Sequence, residues 1–210
     1  LAPGLWLMIA GSVIIILMLY SWFGQVAGES EAGRYDAQVD TSFRMGMGWF
    51  IFSEVMFFGA FFGALFYTRI LSVPWLAGEE LLWPGFEATW PSAGPAGATY
   101  IGPDNYDIGS NQFSSIGAFG IPLLNTVILL VSSVTLTFSH WALKKNQRGA
   151  MNFWLFVTVA LGALFMYYQV GEYIEAYSHL GLTLGSGVYG ATFFMLTGFH
   201  GFHVTIGAIT

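Results

Sequence analysis

Glu54 sits inside SEVMFFGAFF, residues 53–62, a run otherwise made of apolar and small side chains. The nearest charges along the chain are Arg44 and Arg69. At 1.5 Å per residue the carboxyl lies about 15 Å along a helix from Arg44. An ionised carboxylate in such surroundings costs several kcal/mol unless it is neutralised, paired or wetted. Three roles are open to it: a protonated acid hydrogen-bonded to another helix, a proton relay, or an ion site. His200 and His203 in TGFHGFHVTI stand three apart on one helical face. Such a pair can supply two metal ligands or ligate haem, or can simply hydrogen-bond neighbouring helices.

Other polar side chains are less pointed. Asn125 and Thr126 follow Pro122 in IPLLNTVILL and read as hydrogen-bonding groups between helices. Glu172 and Glu175 in YYQVGEYIEAY are three apart; paired carboxylates can do acid–base work, whereas an interfacial pair is solvated or salt-bridged. No glycine-rich phosphate loop, nucleophile elbow or HExxH pattern occurs. With no Cys in the 210 residues, disulfides, iron–sulfur clusters and Cys-ligated zinc are excluded. Nor is there a basic stripe of the kind that binds nucleic acid.

The elements that must position these residues are membrane spans. The chain is 55% hydrophobic and 9% charged, with a mean hydropathy of +0.63, which excludes an ordinary soluble domain. Five apolar runs are long enough to cross a bilayer, which takes roughly 20 residues: 5–24, 44–67, 117–139, 151–171 and 187–210. Barrel strands would be shorter and would alternate polar and apolar residues, and these do not. The sequence therefore predicts an all-α, polytopic membrane helical bundle, a single domain over 1–210 with a long link at about 68–116. The last span is still apolar where the sequence stops, and the first has almost no polar lead-in. Further helices are expected at one or both termini.

Basic residues divide unevenly between the links. Lys144, Lys145 and Arg148 share the 139–150 link with no acid, and Arg34 lies in the link before the second span, with Arg44 flanking it. Arg69 alone falls on the other side, with Glu79, Glu80, Glu87, Asp104, Asp107, Glu172 and Glu175. The positive-inside rule places the first group in the cytoplasm. His140 and His179 then belong to links on opposite sides of the membrane, so the His200–His203 pair lacks a third ligand and no metal site is expected. Trp75, Trp83 and Trp90, in or beside the Pro/Gly-rich outer link, suit the interfacial belt.

On a helical wheel of the second span, Gly48, Gly59 and Gly63 lie on one side. The last two form a GxxxG pair that permits close approach of another helix. Glu54 lies opposite, among Met47, Phe50, Ile51, Phe58, Phe61 and Leu65. In the last span small residues such as Gly190, Gly198, Gly201 and Ala208 occupy the face away from the histidines, so protein is expected on both sides.

SEVMFFGAFFGALFY, IPLLNTVILLVSSVTLTFSHWAL, YYQVGEYIEA and GVYGATFFMLTGFHGFHVTIGA, in that order, together closely resemble subunit III of cytochrome c oxidase, of the haem–copper oxidase superfamily. The resemblance covers nearly the whole chain. It implies a fold of seven helices with a V-shaped cleft, of which these spans are helices two to six. It implies a non-redox subunit of a proton-pumping aa3-type oxidase in aerobic respiration. Haem a, haem a3 and copper then belong to partner subunits I and II, cytochrome c is the electron donor, and this chain holds no cofactor and no catalytic residue. Phospholipid fills the cleft, and the subunit stabilises subunit I and supports proton uptake during turnover.

Glu54 matches the family's intramembrane glutamate, which looks toward the lipid cleft. Where the family often has Trp, nine positions further on, this chain has Gly63. His200 and His203 match the family's histidine motif, and with Asn125 and Glu172 they make a structural polar set. The equivalent subunit of quinol oxidases is the nearest alternative; it tends toward Asp at position 54 and lacks the first two helices. The competing reading from another class is an independent ion channel or transporter. The long Pro/Gly-rich outer link points to a bacterial plasma membrane, the alternative being the mitochondrial inner membrane.

Overall fold

Gly33 separates the first two long helices. Its φ of 67° is left-handed, where a Cβ is penalised. The computed structural model describes residues 2–95 and 113–209; Asp104 and Asp107 of the long link lie outside them. Helix α1 spans Ala2–Glu31 and α2 spans Ala37–Tyr67. Asp36 Oδ1 accepts the Val39 N–H at 2.9 Å, an N-cap bond that starts α2 seven residues before the expected edge of the span. The residues fall into two compact units, Leu1–Phe57 and Phe58–Thr210.

In the first unit no residue of α1 from Gly4 to Glu31 is buried. Its contacts with the start of α2 gather at the turn. Tyr35 donates its hydroxyl to Glu29 at 2.9 Å, and its ring meets Phe43 edge-on at 5.4 Å. The Arg44–Asp40 ion pair at 2.6 Å is exposed and contributes little.

The second unit begins within α2. The helical path does not stop at Tyr67: a wide π-helical turn over Thr68–Ser72 leads into α3, Val73–Ala77. Pro74, in the first turn of α3, has no N–H to offer the carbonyl four residues back and its ring crowds that turn. The π-turn widens the backbone just before it. Arg69, taken in sequence as the start of a loop, lies with its guanidinium 5.8 Å from the centre of the Trp90 ring.

Three further helices follow: α4 (Ile121–Lys144), α5 (Arg148–Ser178) and α6 (Gly187–Ile209). Gly120 has φ 109° and Pro122 lies in the first turn of α4, where a missing N–H is harmless. At the other end α4 outruns the expected 139 boundary through His140 to Lys144. Asn146 closes it at φ 55°, with Gln147 N–H bonded to Ala142 O and Asn146 N–H to Leu143 O, both 2.9 Å. That is a Schellman cap. It shortens the connection to three residues and makes α4 and α5 antiparallel neighbours.

The shielded side of α4 includes Asn125, Ile128, Ser132, Thr135, Ser139 and Ala142, spaced alternately by three and four as in a coiled-coil seam. Across it Thr135 and Thr158 hydroxyls meet at 2.7 Å, and Ser139 donates to Met151 O at 3.1 Å. Helix α6 runs back along α5. A Cβ at Gly162 would touch Ala208 at 3.7 Å, and one at Gly201 would touch Met166 at 3.7 Å. Gly187 has φ 70°, and a Cβ there would overlap the Ala93 backbone; one at Gly190 would overlap the Thr183 carbonyl. The small face of the last helix is thus used for packing.

The GxxxG pair of α2 behaves otherwise. A Cβ at Gly59 or Gly63 would have nothing within 4 Å among the described residues of its own unit. Five helical stretches are long and apolar enough to cross a membrane, and no strand occurs among the described residues. The protein is an all-helical membrane protein.

Candidate functional site

Glu54 sits midway along α2 and is partly shielded. Met47, Phe50 and Ile51 on its own face are exposed, whereas Phe58, Phe61 and Leu65, further along the same face, are half-buried. There α2 meets α6. The Phe58 ring lies 5.1 Å from His203, and Phe61 lies 5.5 Å from Phe199.

His203 Nδ1 is 2.6 Å from the Phe199 carbonyl. A carbonyl only accepts, so Nδ1 carries the proton and the ring is held one turn back on its own helix. His200 points elsewhere, edge-on to Phe165 of α5 at 5.7 Å. The two rings therefore address different helices. Among the described residues no group of three or more His, Cys, Asp or Glu gathers as a metal site would require. His140, expected in a link, lies on α4, and His179 immediately follows α5.

Two cavities flank His200. One is an apolar groove of about 510 Å³, lined by Phe58, Phe62 and Leu65 of α2, Tyr189 and Leu196 of α6, and Trp90. The other, about 530 Å³, lies among α4, α5 and α6 and carries Asn125, Thr126, Gln169, Glu172 and Thr197 on its walls. Asn125 and Glu172 are 3% and 6% exposed. Among the described residues neither amide atom of Asn125 has a hydrogen-bond partner, and nor has Glu172 Oε1.

Sequence treated Glu172 and Glu175 as one interfacial pair, but the structure separates them: Glu172 is buried and Glu175 exposed. The signal lay in register. Phe165, Gln169, Glu172 and Ala176 repeat by four, three and four, which puts Glu172 on the seam. Thr126 bonds its own helix at Pro122 O, 3.0 Å away. Bonds that do tie helices together come from residues the sequence did not single out, Thr135 with Thr158, Ser139 with Met151 O and Tyr173 with Thr197 at 2.6 Å. Ser/Thr at seam positions was the available clue.

Among the described residues these polar side chains form no ligand cage of three or more His, Cys, Asp or Glu, and comparison with known proteins bears on the chain as a whole. Residues 4–210 match the family described as cytochrome c oxidase subunit III. Similar proteins, each described as cytochrome c oxidase subunit 3, come from Pongo pygmaeus and Latimeria chalumnae, both 37% identical over 203 residues, 96% of this chain and 66% of theirs. That of Drosophila melanogaster is 39% identical over 204 residues, 96% of this chain and 65% of the fly protein. The chain thus spans about 66% of the length of the relatives it matches. By the match along residues 4–210, this chain belongs to the cytochrome c oxidase subunit III family.

Proposed function

We propose that this chain serves as the non-redox subunit III of a proton-pumping, aa3-type cytochrome c oxidase. In this reading its spans are family helices two to six, it packs beside subunit I in a complex that also contains subunit II, and it supports proton uptake during turnover. Haem a, haem a3 and copper reside in those partners, and cytochrome c delivers the electrons. The observation that carries the reading is the family match along residues 4–210. The basic Lys144–Arg148 turn faces the cytoplasm of a bacterial plasma membrane, a placement supported by the uneven sharing of Lys and Arg and by the long Pro/Gly-rich link.

Phospholipid occupies the cleft that the family resemblance implies, with the Glu54 carboxyl on its wall. The apolar groove between the end of α2 and α6 supports this role, because Phe58, Phe62, Leu65 and Leu196 offer a surface suited to acyl chains. Asn125, Glu172, His200 and His203 act in the structure of the helix assembly and not in chemistry.

Affinity purification of the chain from its native membrane, followed by assay with reduced cytochrome c and with a quinol, tests the proposal. Oxygen consumption driven by cytochrome c is expected. Activity with quinol alone would move the chain to the quinol-oxidase branch, and a chain that purifies alone and conducts ions when reconstituted would overturn the oxidase reading.

A further inference from the structure

The apolar groove between the end of α2 and α6 has two unlike ends. The helices run antiparallel along it. At its inner end Phe58 meets His203 at 5.1 Å and Phe61 meets Phe199 at 5.5 Å, whereas Leu65 shares the groove with Tyr189, in the first turn of α6. From Tyr189 to His200 the α6 wall runs eleven residues, about 16 Å, half of a hydrocarbon core about 30 Å thick. The groove is thus one leaflet deep. That leaflet lies opposite the Lys144–Arg148 turn, because α5 begins at the turn and α6, running back along α5, begins at the far side.

The interior suits hydrocarbon. Thr192 and Thr197 on its wall donate their hydroxyls to Val188 O and Phe193 O, each at 2.7 Å, and no Asp, Glu, Lys or Arg lines it.

The mouth is polar. Trp90 and Tyr189 meet there edge-on at 5.6 Å, rings of the kind that sit at head-group depth. Arg69, in the π-turn that follows Tyr67, lies with its guanidinium 5.8 Å from the centre of the same Trp90 ring. It is exposed, and the ion pair formed among the described residues is Arg44–Asp40, not one with Arg69. A guanidinium held at an aromatic ring is positioned in advance, and its N–H fork fits phosphate oxygens. An uncharged amphiphile such as a quinol would fill the groove and leave Arg69 without a counter-charge. An anionic head on a long apolar tail satisfies both ends.

We infer that this groove is a phospholipid site for the leaflet opposite the Lys144–Arg148 turn, with Arg69 as the phosphate ligand and an acyl chain laid between α2 and α6 as far as His200. The inference rests on the reading above that phospholipid binds this chain, and adds the leaflet that supplies it and the residue that holds it.

A cryo-EM map of the native complex, with native mass spectrometry of wild-type, Arg69→Gln and Arg69→Lys complexes, tests this. Phosphate density is expected within about 2.7–3.2 Å of the Arg69 guanidinium, continuous with a tail in the groove. Arg69→Gln should carry one phospholipid fewer per chain, and Arg69→Lys should keep it. If neither variant assembles, the wild-type map decides alone. A lipid head placed away from Arg69, an Asp104 or Asp107 carboxylate seated on Arg69, a groove filled by protein, or an unchanged lipid count in Arg69→Gln would overturn the inference while lipid bound elsewhere on the chain upheld the broader reading. A complex with no bound phospholipid at all would overturn both.

Discussion

Glycines 187 and 190 of α6 are the positions where one added carbon should do most harm. Gly187 combines φ 70° with an overlap onto the Ala93 backbone, and Gly190 is closed off by the Thr183 carbonyl. A left-handed backbone costs a non-glycine residue roughly 1–2 kcal/mol before any overlap, so Gly187→Ala and Gly190→Ala should each lower the melting temperature markedly or prevent assembly. Gly207→Ala on the same helix has nothing within 4 Å of the new carbon and should be neutral or slightly stabilising. Comparable melting of all three variants would refute this. Glu54 raises a different question. Glu54→Gln keeps the shape and a donor, so the complex should assemble and retain most initial activity. Glu54→Ala should lose lipid or inactivate faster during turnover. Abolished proton pumping in a well-assembled Glu54→Gln enzyme would favour a relay and contradict the structural role. No metal is expected to bind this chain itself, since His200 and His203 turn toward different helices; stoichiometric iron, copper or zinc in the isolated subunit would overturn that.

The α4–α5 pair is held by small and hydroxyl-bearing residues at three–four spacing, and its strength can be apportioned. A double-mutant cycle on Thr135→Val and Thr158→Val removes the 2.7 Å hydroxyl pair. The coupling expected is about 0.6 kcal/mol, typical of such bonds inside membranes; zero coupling would mean that each threonine is satisfied by its own helix, through Ser132 O and Trp154 O. The helices themselves were legible because long uncharged runs admit few other structures in a bilayer. Their ends were not. The apolar runs suggested stops at Tyr67 and Ser139, but a π-turn before Pro74 and a Schellman cap at Asn146 carry the helices ten and five residues further. The candidate site was half legible. Glu54 announced itself by charge in an apolar run, whereas the burial of Glu172 depends on which side of α5 faces its neighbours α4 and α6. The GxxxG motif at Gly59 and Gly63 marked a surface capable of close contact, but motif alone could not say what meets it; among the described residues nothing lies within 4 Å of a Cβ built there.

Taken together, the helices expose large apolar side chains along much of their length, from Trp6 and Ile14 on α1 to Phe156 on α5 and Phe202 on α6, as helices that cross a membrane would. Native mass spectrometry of the complex should therefore find retained phospholipid, and delipidation should lower its thermal stability; a complex free of lipid at full stability would count against the cleft proposal. The central claim is that the chain works within a haem–copper oxidase and carries none of the redox chemistry itself. The most direct test is the reduced-minus-oxidised absorption spectrum of whatever copurifies with it from its native membrane. Haem a bands that disappear when the chain is separated from its partners are the expected result. A purified complex that contains the chain in stoichiometric amount and shows no haem a would contradict the account.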